Sequence, residues 1–428
     1  MKANHTDRTH RPVRIALMGP FGFGNLGDAA IQDAAIQNIR RIHSDAEIFG
    51  VSQNPADTQK RHGIPAFPLN RMPRVGAEWE EHPREDIFSS FGTWLRRTKL
   101  GRMIERAGVR LPLEFLYILR SFKNLWGFDI LVVSGGGQLD DYWGGPWSHP
   151  YTLAKWGTIA KIVGARFVFL SVGAGPIDYS ASKRLLRYAL SRAEYRSFRD
   201  ERSRRLITSI GFDRNDPVCP DLAYSLPVEE YTAGGDSKAA TRIGVGPMSY
   251  FHPALWPESD NAVYEGYLRK LASFITRRIN EGSQIVLFPG EIGSDRAAMD
   301  DLLTMIQNGA GTAARDQIER PDIRSVRELM TLLSRTDINI ASRFHGVLLS
   351  HVAGKPVVAL SYHMKIDALM EEMGHAQYCL DIKTFTSEAF EERFQALRKD
   401  LSVARECISK KMQEYRGTLD GQYRKIFS

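Results

Sequence analysis

The sequence predicts an α/β protein of two Rossmann-like domains, each a parallel sheet covered by helices. Three observations carry this. Short apolar runs alternate with helical patterns, the signature of βαβ units with right-handed crossovers. The alternation stops in a polar stretch at 227–241 (P-V-E-E-Y-T-A-G-G-D-S-K-A-A-T) and then restarts. At 428 residues the chain is longer than one hydrophobic core usually serves. Two similar halves with a cleft between them is the simplest architecture.

The elements follow in order. Val13–Met18 is an apolar run, as expected of a strand buried on both faces, and it ends in G-P-F-G-F-G-N-L-G-D-A-A-I before a helix reaching Ile39. Ala46–Val51 reads as a second strand. From 55 to 124 the rhythm breaks, and we read an insertion with one or two basic amphipathic helices. It resumes at Phe128–Val133, which ends in S-G-G-G-Q-L-D-D. A helix near Leu153–Val163, a strand Arg166–Leu170 ending in S-V-G-A-G-P, a helix Lys183–Ala193 and a strand Tyr195–Phe198 follow. The helix Glu201–Ile210 and the segment V-C-P-D-L-A close a first domain spanning 1–228.

The second domain spans 241–385. Its strands are Ile243–Gly246, Gln284–Phe288, Ile338–Ala341 and Pro356–Leu360, and its helices are Tyr264–Asn280, Asp295–Gln307 and Ser325–Ser334. The remainder, 386–428, is charged at helical spacing and reads as a helical tail.

Bulk composition narrows the function. The net charge of +7 fits an anionic substrate or acidic surface, and it is too diffuse to argue for nucleic acid. Three widely spaced cysteines, Cys219, Cys379 and Cys407, give no disulfide framework or zinc spacing. The polar N-terminus lacks the apolar core of a signal peptide, and no apolar run is long enough to span a bilayer. A cytoplasmic location is expected, with peripheral contact at the inner membrane face as an extension of it. That extension rests on 94–123, where eight arginines and lysines face Glu105 and Glu114, interleaved with Trp94, Leu113, Phe115, Leu116 and Ile118. A solvated basic lid explains the same composition.

The chemistry concentrates at strand ends. Ile338–Leu349, I-N-I-A-S-R-F-H-G-V-L-L, is a strand breaking into Ser342-Arg343-Phe344-His345-Gly346 and then a helix. Open α/β sheets bind ligands at such places, and a helix N-terminus suits anions. An arginine and a histidine in an apolar junction are costly without partners. A capped helix start with a packed histidine is the plain alternative.

Gly22–Gly27 matches G-x-G-x-x-G, but Asp28 would repel a pyrophosphate, and the second strand ends in Val51-Ser52-Gln53 without the ribose-binding acid. Nucleotide cofactors are therefore not expected. The loop around Gly24, Asn25 and Asp28 either lines the cleft or is a structural turn with Asp28 as helix cap. Gly136, Gly137 and Gly173 allow close backbone approach at other strand ends, and tight turns explain them as well. Asp140 and Asp141 lack a partner at metal spacing, so no metal is expected. Arg199 beside Asp200 reads as an anion contact or a surface ion pair. Asp221 lines the cleft or caps a turn. Lys365 opens a helix, where its charge opposes the dipole unless an anion is near. Serine- and cysteine-nucleophile signatures and the P-loop are missing.

Taken in order, G-F-G-N-L-G-D-A-A-I-Q, S-G-G-G, S-V-G-A-G-P, F-R-D-E-R-S, V-C-P-D-L-A and S-R-F-H-G-V-L-L-S-H-V-A-G-K-P-V-V-A-L-S-Y-H-M-K resemble the bacterial polysaccharide pyruvyl transferase family, over residues 13 to 380. Ala29-Ala30 stand where that family often has a glutamate. The resemblance implies a GT-B-like arrangement of the two domains around an interdomain cleft. It also implies transfer of a pyruvyl group from phosphoenolpyruvate to two hydroxyls of one sugar, giving a cyclic ketal and phosphate.

On that resemblance His345 is catalytic. Arg343 and Arg199 bind phosphoenolpyruvate, and the residue chemistry adds Phe344 and Lys365 as further donor contacts; the donor is a co-substrate, so no cofactor is required. The acceptor is a sugar of a polysaccharide, free or lipid-linked, and Arg199 and His345 meet across one cleft. Two other readings compete: a GT-B glycosyltransferase using a nucleotide sugar, and a non-catalytic glycan- or anion-binding protein of a polysaccharide assembly complex.

Overall fold

The structure, a computed structural model, describes residues 11–71, 111–142, 144–227, 231, 241–256 and 258–428. These residues form two compact units. The first runs to Phe23 and from Ile39 to Cys219; the second comprises Gly24–Asn38 and Pro220–Ile426. The opening glycine motif is thus divided, with Gly24 onward in the second unit.

The first unit holds strands β1 (Arg14–Met18), β2 (Glu47–Ser52), β3 (Ala66–Pro68), β4 (Ile130–Ser134), β5 (Gly137–Leu139), β6 (Arg166–Ala174) and β7 (Tyr195–Phe198). They lie in the order β3-β2-β1-β4-β6-β5, with β7 also on β6. The second holds β8 (Arg242–Gly246), β9 (Gln284–Leu287), β10 (Ile318–Glu319), β11 (Ile338–Ala341), β12 (Val357–Ser361) and β13 (Cys379–Asp381), in the order β10-β9-β8-β11-β12-β13.

Every pairing is parallel. Central strands are therefore covered on both faces, and β4, β11 and β12 are buried at every residue. The strand order reverses between β1 and β4 in the first sheet and between β8 and β11 in the second. These reversals are where a doubly wound sheet opens a crevice beyond its strand ends.

The structure redraws two sequence boundaries. Residues Pro55–His62 are a helix capped by Asn54, and β3 pairs with β2, so the sheet continues into what the sequence reads as insertion. The P-A-F-P run hides this edge strand because an edge tolerates proline that a central strand does not. Residues 72–110 lie outside the described residues.

The expected tail is integral to the second unit. Phe390 and Phe394 on the helix Ser387–Lys399 are buried against Phe274, at ring separations of 4.5 Å and 4.9 Å. Leu397 is fully buried as well, so an i, i+4, i+7 apolar face lies under the charged surface. Glu391 of the same helix accepts from buried Arg278 at 2.9 Å.

His351 and His375 lie in the same core, with ring centroids 5.9 Å apart. Both are almost fully buried. Burial pushes the His351 imidazole down to about 3, aided by His375, and burial lowers His375 too. Folded-state values thus lie below the ordinary histidine value. Below about pH 6.5 the unfolded chain binds more protons than the native one, so stability falls with pH. We expect the urea midpoint of the second unit to hold above pH 7. Below pH 6.5 it should drop, by roughly 1.4 kcal/mol per unit for each histidine still neutral in the fold. Urea titrations from pH 7.5 to 4.5 check this.

Candidate active site

The corner after β11 lies at the strand-order reversal of the second sheet. Ala341 is in register with Gly246 of β8, and the Ser342 amide donates to the Gly246 carbonyl at 3.3 Å. Ser342 is buried, its hydroxyl 2.8 Å from that of Tyr267, which fixes the strand exit. The helix Phe344–Val352 begins at once. Its N-cap, Arg343, is extended and supplies no side-chain cap. The helix start brings its positive dipole end to this corner.

His345 sits in that first turn, 14% exposed in its side chain. Its ring is packed against Gly27. A β-carbon built on Gly27 would lie 1.9 Å from Nδ1 and 2.0 Å from Cγ, inside contact distance. Glycine is thus the residue that lets the helix Leu26–Ile42 approach the histidine. On its other edge, Nε2 lies 3.9 Å from Oδ2 of Asp221. Asp221 is buried, and its Oδ1 accepts from the Ala223 amide at 3.0 Å. It caps a turn and also presents a fixed carboxylate to the imidazole. Phe344 lies edge-on to His345 at 5.1 Å, and the Lys365 ammonium stands 5.7 Å from the centre of the Phe344 ring.

The loop holding Gly27 is itself anchored. Asn25 bridges to Glu291, the Leu26 amide donates to the Gly290 carbonyl at 3.0 Å, and the Ile292 amide donates to the Gly24 carbonyl at 3.0 Å. Gly24 has φ +75°, where an L side chain is strained. Asn25 is the helix cap, since its Oδ1 accepts from the amides of Gly27 (2.9 Å) and Asp28 (3.3 Å). Asp28, for which the sequence left a cleft-lining or a capping role, is not the cap and occupies the first turn, where its charge suits the dipole.

Arg343 is engaged more fully than the sequence suggests. Its Nε lies 3.0 and 3.1 Å from the two oxygens of Asp295. Its Nη2 meets Asp295 at 2.7 Å, Ser294 at 2.8 Å and Glu291 at 2.9 Å. Asp295, fully buried, also accepts from the amides of Gly290 and Glu291. Burial alone would lower the guanidinium pKa, but Asp295 and Glu291 outweigh it and hold the value above the ordinary one. Arg343 therefore ties the 290–295 loop to the histidine corner, and through that loop it supports Gly24–Gly27.

In the first unit the structure brings together Arg199, Gly136, Gly137 and Gly173. The Arg199 amide donates to the Val172 carbonyl, and its Nε faces Asp200 at 3.4 Å. A β-carbon on Gly173 would meet Arg199 Nη2 at 2.8 Å and the Gly136 carbonyl at 3.2 Å. Gly137 pairs with Gly173 in the sheet. Asp141 is a buried structural acid that accepts from the amides of Asp178 and Tyr179.

Sequence reasoning passed over Gly27, Gly290, Glu291 and Asp295. The available signals were the third glycine of the opening motif and the P-G-E-I-G-S-D run after β9.

Comparisons with known proteins bear on family and fold. The family profile described as polysaccharide pyruvyl transferase matches residues 25–364. The chain is 21% identical over 386 residues to the amylovoran biosynthesis protein AmsJ of Erwinia amylovora, covering 87% of this chain and 89% of that protein. Among solved structures, Anabaena Alr3699/HepE in complex with UDP is similar at TM-score 0.57 and 13% identity, over 97% of this chain and 99% of that one. A putative UDP-N-acetylglucosamine 2-epimerase from Listeria monocytogenes is similar at TM-score 0.56 and 10% identity, over 96% and 94%. At these identities the structural likeness speaks for the fold, which is of the GT-B-like class.

Proposed function

Because the chain belongs to the polysaccharide pyruvyl transferase family, a family of transferases in polysaccharide biosynthesis, we propose that it moves the pyruvyl group of phosphoenolpyruvate onto two hydroxyls of one acceptor sugar. The products are a cyclic ketal and phosphate. One observation carries the reading: His345 is held at the strand-order reversal between a buried carboxylate and a glycine backbone, in the first turn of the Phe344–Val352 helix.

The chemistry needs a proton delivered to C3 of the enol, which leaves cation-like character at C2. One sugar hydroxyl adds to C2 and loses its proton. The second hydroxyl then displaces phosphate as the C2–O–P linkage breaks at C2. Two hydroxyl protons are lost overall; one balances C3 and the other leaves with phosphate. A single imidazole near neutral pKa can relay these protons, and we assign that role to His345. Asp221 orients the ring.

The donor carries a phosphate and a carboxylate. The Phe344–Val352 helix start and Lys365 suit the phosphate, while Arg343 and Arg199 suit the donor's anionic groups. The reading requires no cofactor, because the donor is a co-substrate. A ligand screen by thermal shift separates it from a nucleotide-sugar glycosyltransferase. Phosphoenolpyruvate should raise the melting temperature and uridine diphosphate should leave it unchanged; the reverse result sinks the proposal.

We place the acceptor at or near a membrane. No helix among the described residues is long and apolar enough to cross one. Of the expected 94–123 contact, 94–110 lies outside the described residues. The rest falls in the helix Leu111–Leu125, which exposes Leu113, Phe115, Leu116 and Leu119 beside Arg120 and Lys123. Its one acid, Glu114, is turned to Lys155 at 2.9 Å. An exposed apolar stripe with basic and no acidic neighbours suits an anionic lipid surface. Flotation with phosphatidylglycerol vesicles should carry the protein upward, and Phe115→Ser with Leu116→Ser should leave it at the bottom.

A further inference from the structure

Two loops leave the carboxyl ends of β5 and β6 in the first unit, on the sheet edge where Arg199 covers Gly173. They are fastened together. The Gly175 amide donates to the Leu139 carbonyl (3.1 Å), and the Asp141 amide to the Pro176 carbonyl (3.2 Å). Asp141, 3% exposed, returns its carboxylate to the amides of Asp178 and Tyr179 at 3.0–3.2 Å. Gly145 takes φ +65° and brings its backbone against the Tyr179 ring, where a β-carbon would lie 3.6 Å from it.

A scaffold so firmly tied presents two large aromatic side chains to solvent: Trp147 is 75% exposed and Tyr179 56% exposed. Tyr151 stands behind Trp147 with ring centroids 6.2 Å apart. The exposed carboxylate of Asp178 lies beside Tyr179 in the chain. Exposed aromatics on rigid backbone bind at low entropic cost and are unusual on a surface with no partner.

We propose that Trp147 and Tyr179 form the platform for the acceptor sugar, stacking on the apolar C–H face of a pyranose while Asp178 accepts from its hydroxyls. This rests on the polysaccharide-transfer reading above and names where that substrate is held. The partner is a neutral or cationic glycan, since the exposed carboxylate of Asp178 beside Tyr179 disfavours an anionic sugar. The residues bind and position; none is assigned a proton.

The test uses the full chain on a printed array of de-pyruvylated bacterial polysaccharide fragments, followed by acceptor kinetics on any fragment bound. Wild type is expected to bind at least one fragment. Trp147→Ala and Tyr179→Ala should each weaken binding about tenfold and raise the acceptor KM, leaving the phosphoenolpyruvate KM unchanged. Tyr179→Phe, which keeps the ring, should retain binding. Trp126→Ala, which removes another exposed aromatic of the same unit, should have no effect. Wild type binding no fragment, or alanine variants with unchanged acceptor affinity, would overturn the platform. Glycan binding without any phosphoenolpyruvate turnover would leave the platform standing and count against pyruvyl transfer instead.

Discussion

His345→Ala is expected to lower the rate of phosphate release from phosphoenolpyruvate in the presence of acceptor by about 10²- to 10⁴-fold, the usual contribution of a positioned acid–base group. The fold should persist, because the carboxylate facing the ring keeps a partner of its own. Asp221 is turned to the ring but keeps its own bond to the Ala223 amide. Donor affinity measured by calorimetry should stay within a few-fold of wild type, since the cationic groups remain. The two readouts together distinguish a proton-transfer role from a binding role. Unchanged turnover would remove His345 from the chemistry, and lost donor affinity with normal turnover per bound donor would make it a ligand contact only.

Gly27→Ala should be nearly as damaging, although Gly27 touches no substrate in this scheme. The new methyl would lie 1.9–2.4 Å from Nδ1, Cγ and Cβ of His345. The ring cannot swing clear by moving only a flexible tip, because its own Cβ is in the clash. Neither can the helix Leu26–Ile42 retreat easily, since it is stitched to Gly290 and Glu291 by backbone bonds. Overpacking of this kind costs about 1–3 kcal/mol. We expect a melting temperature lower by several degrees and turnover reduced at least 100-fold. Gly266→Ala is the control: it lies in the helix Asn261–Asn280 with nothing within 4 Å of the new atom. There the substitution should be neutral or slightly stabilising. Full activity in Gly27→Ala would show that the glycine is not what shapes the histidine's position.

Much of the fold was legible because parallel strands covered on both faces must be apolar throughout. β4, β11 and β12 announce themselves as I-L-V-V-S, I-N-I-A and V-V-A-L-S. Missing from the reading were β3, β5, β10 and β13, strands of two or three residues that add to a sheet by backbone pairing alone. Such segments carry no periodicity to detect. The histidine corner was legible for a related reason. Arg343 and His345 interrupt an apolar junction, and polar groups in such a place need partners.

The partners themselves were not legible. Asp295 is 48 residues from Arg343 and Gly27 far from His345 in the chain, and no local spacing rule links them. The structure therefore changes the account of Arg343 most. From sequence it is an anion clamp. In the fold, two carboxylates occupy most of its donors, and its first effect is to hold the 290–295 loop against the segment that carries Gly27. Asp221, which the sequence left as a cleft-lining or turn-capping acid, does cap its turn and also faces the histidine.

The central claim is that C3 of phosphoenolpyruvate is protonated and C2 becomes a ketal carbon on the acceptor. It is tested most directly by running the reaction in D₂O with purified protein, phosphoenolpyruvate and a de-pyruvylated acceptor polysaccharide, followed by NMR. The account predicts equimolar inorganic phosphate and ketal, with a ketal methyl group carrying one deuteron from solvent. Both products should be lost in His345→Ala. Release of pyruvate without a ketal, a ketal methyl free of deuterium, or transfer only when a nucleotide sugar replaces phosphoenolpyruvate would contradict it.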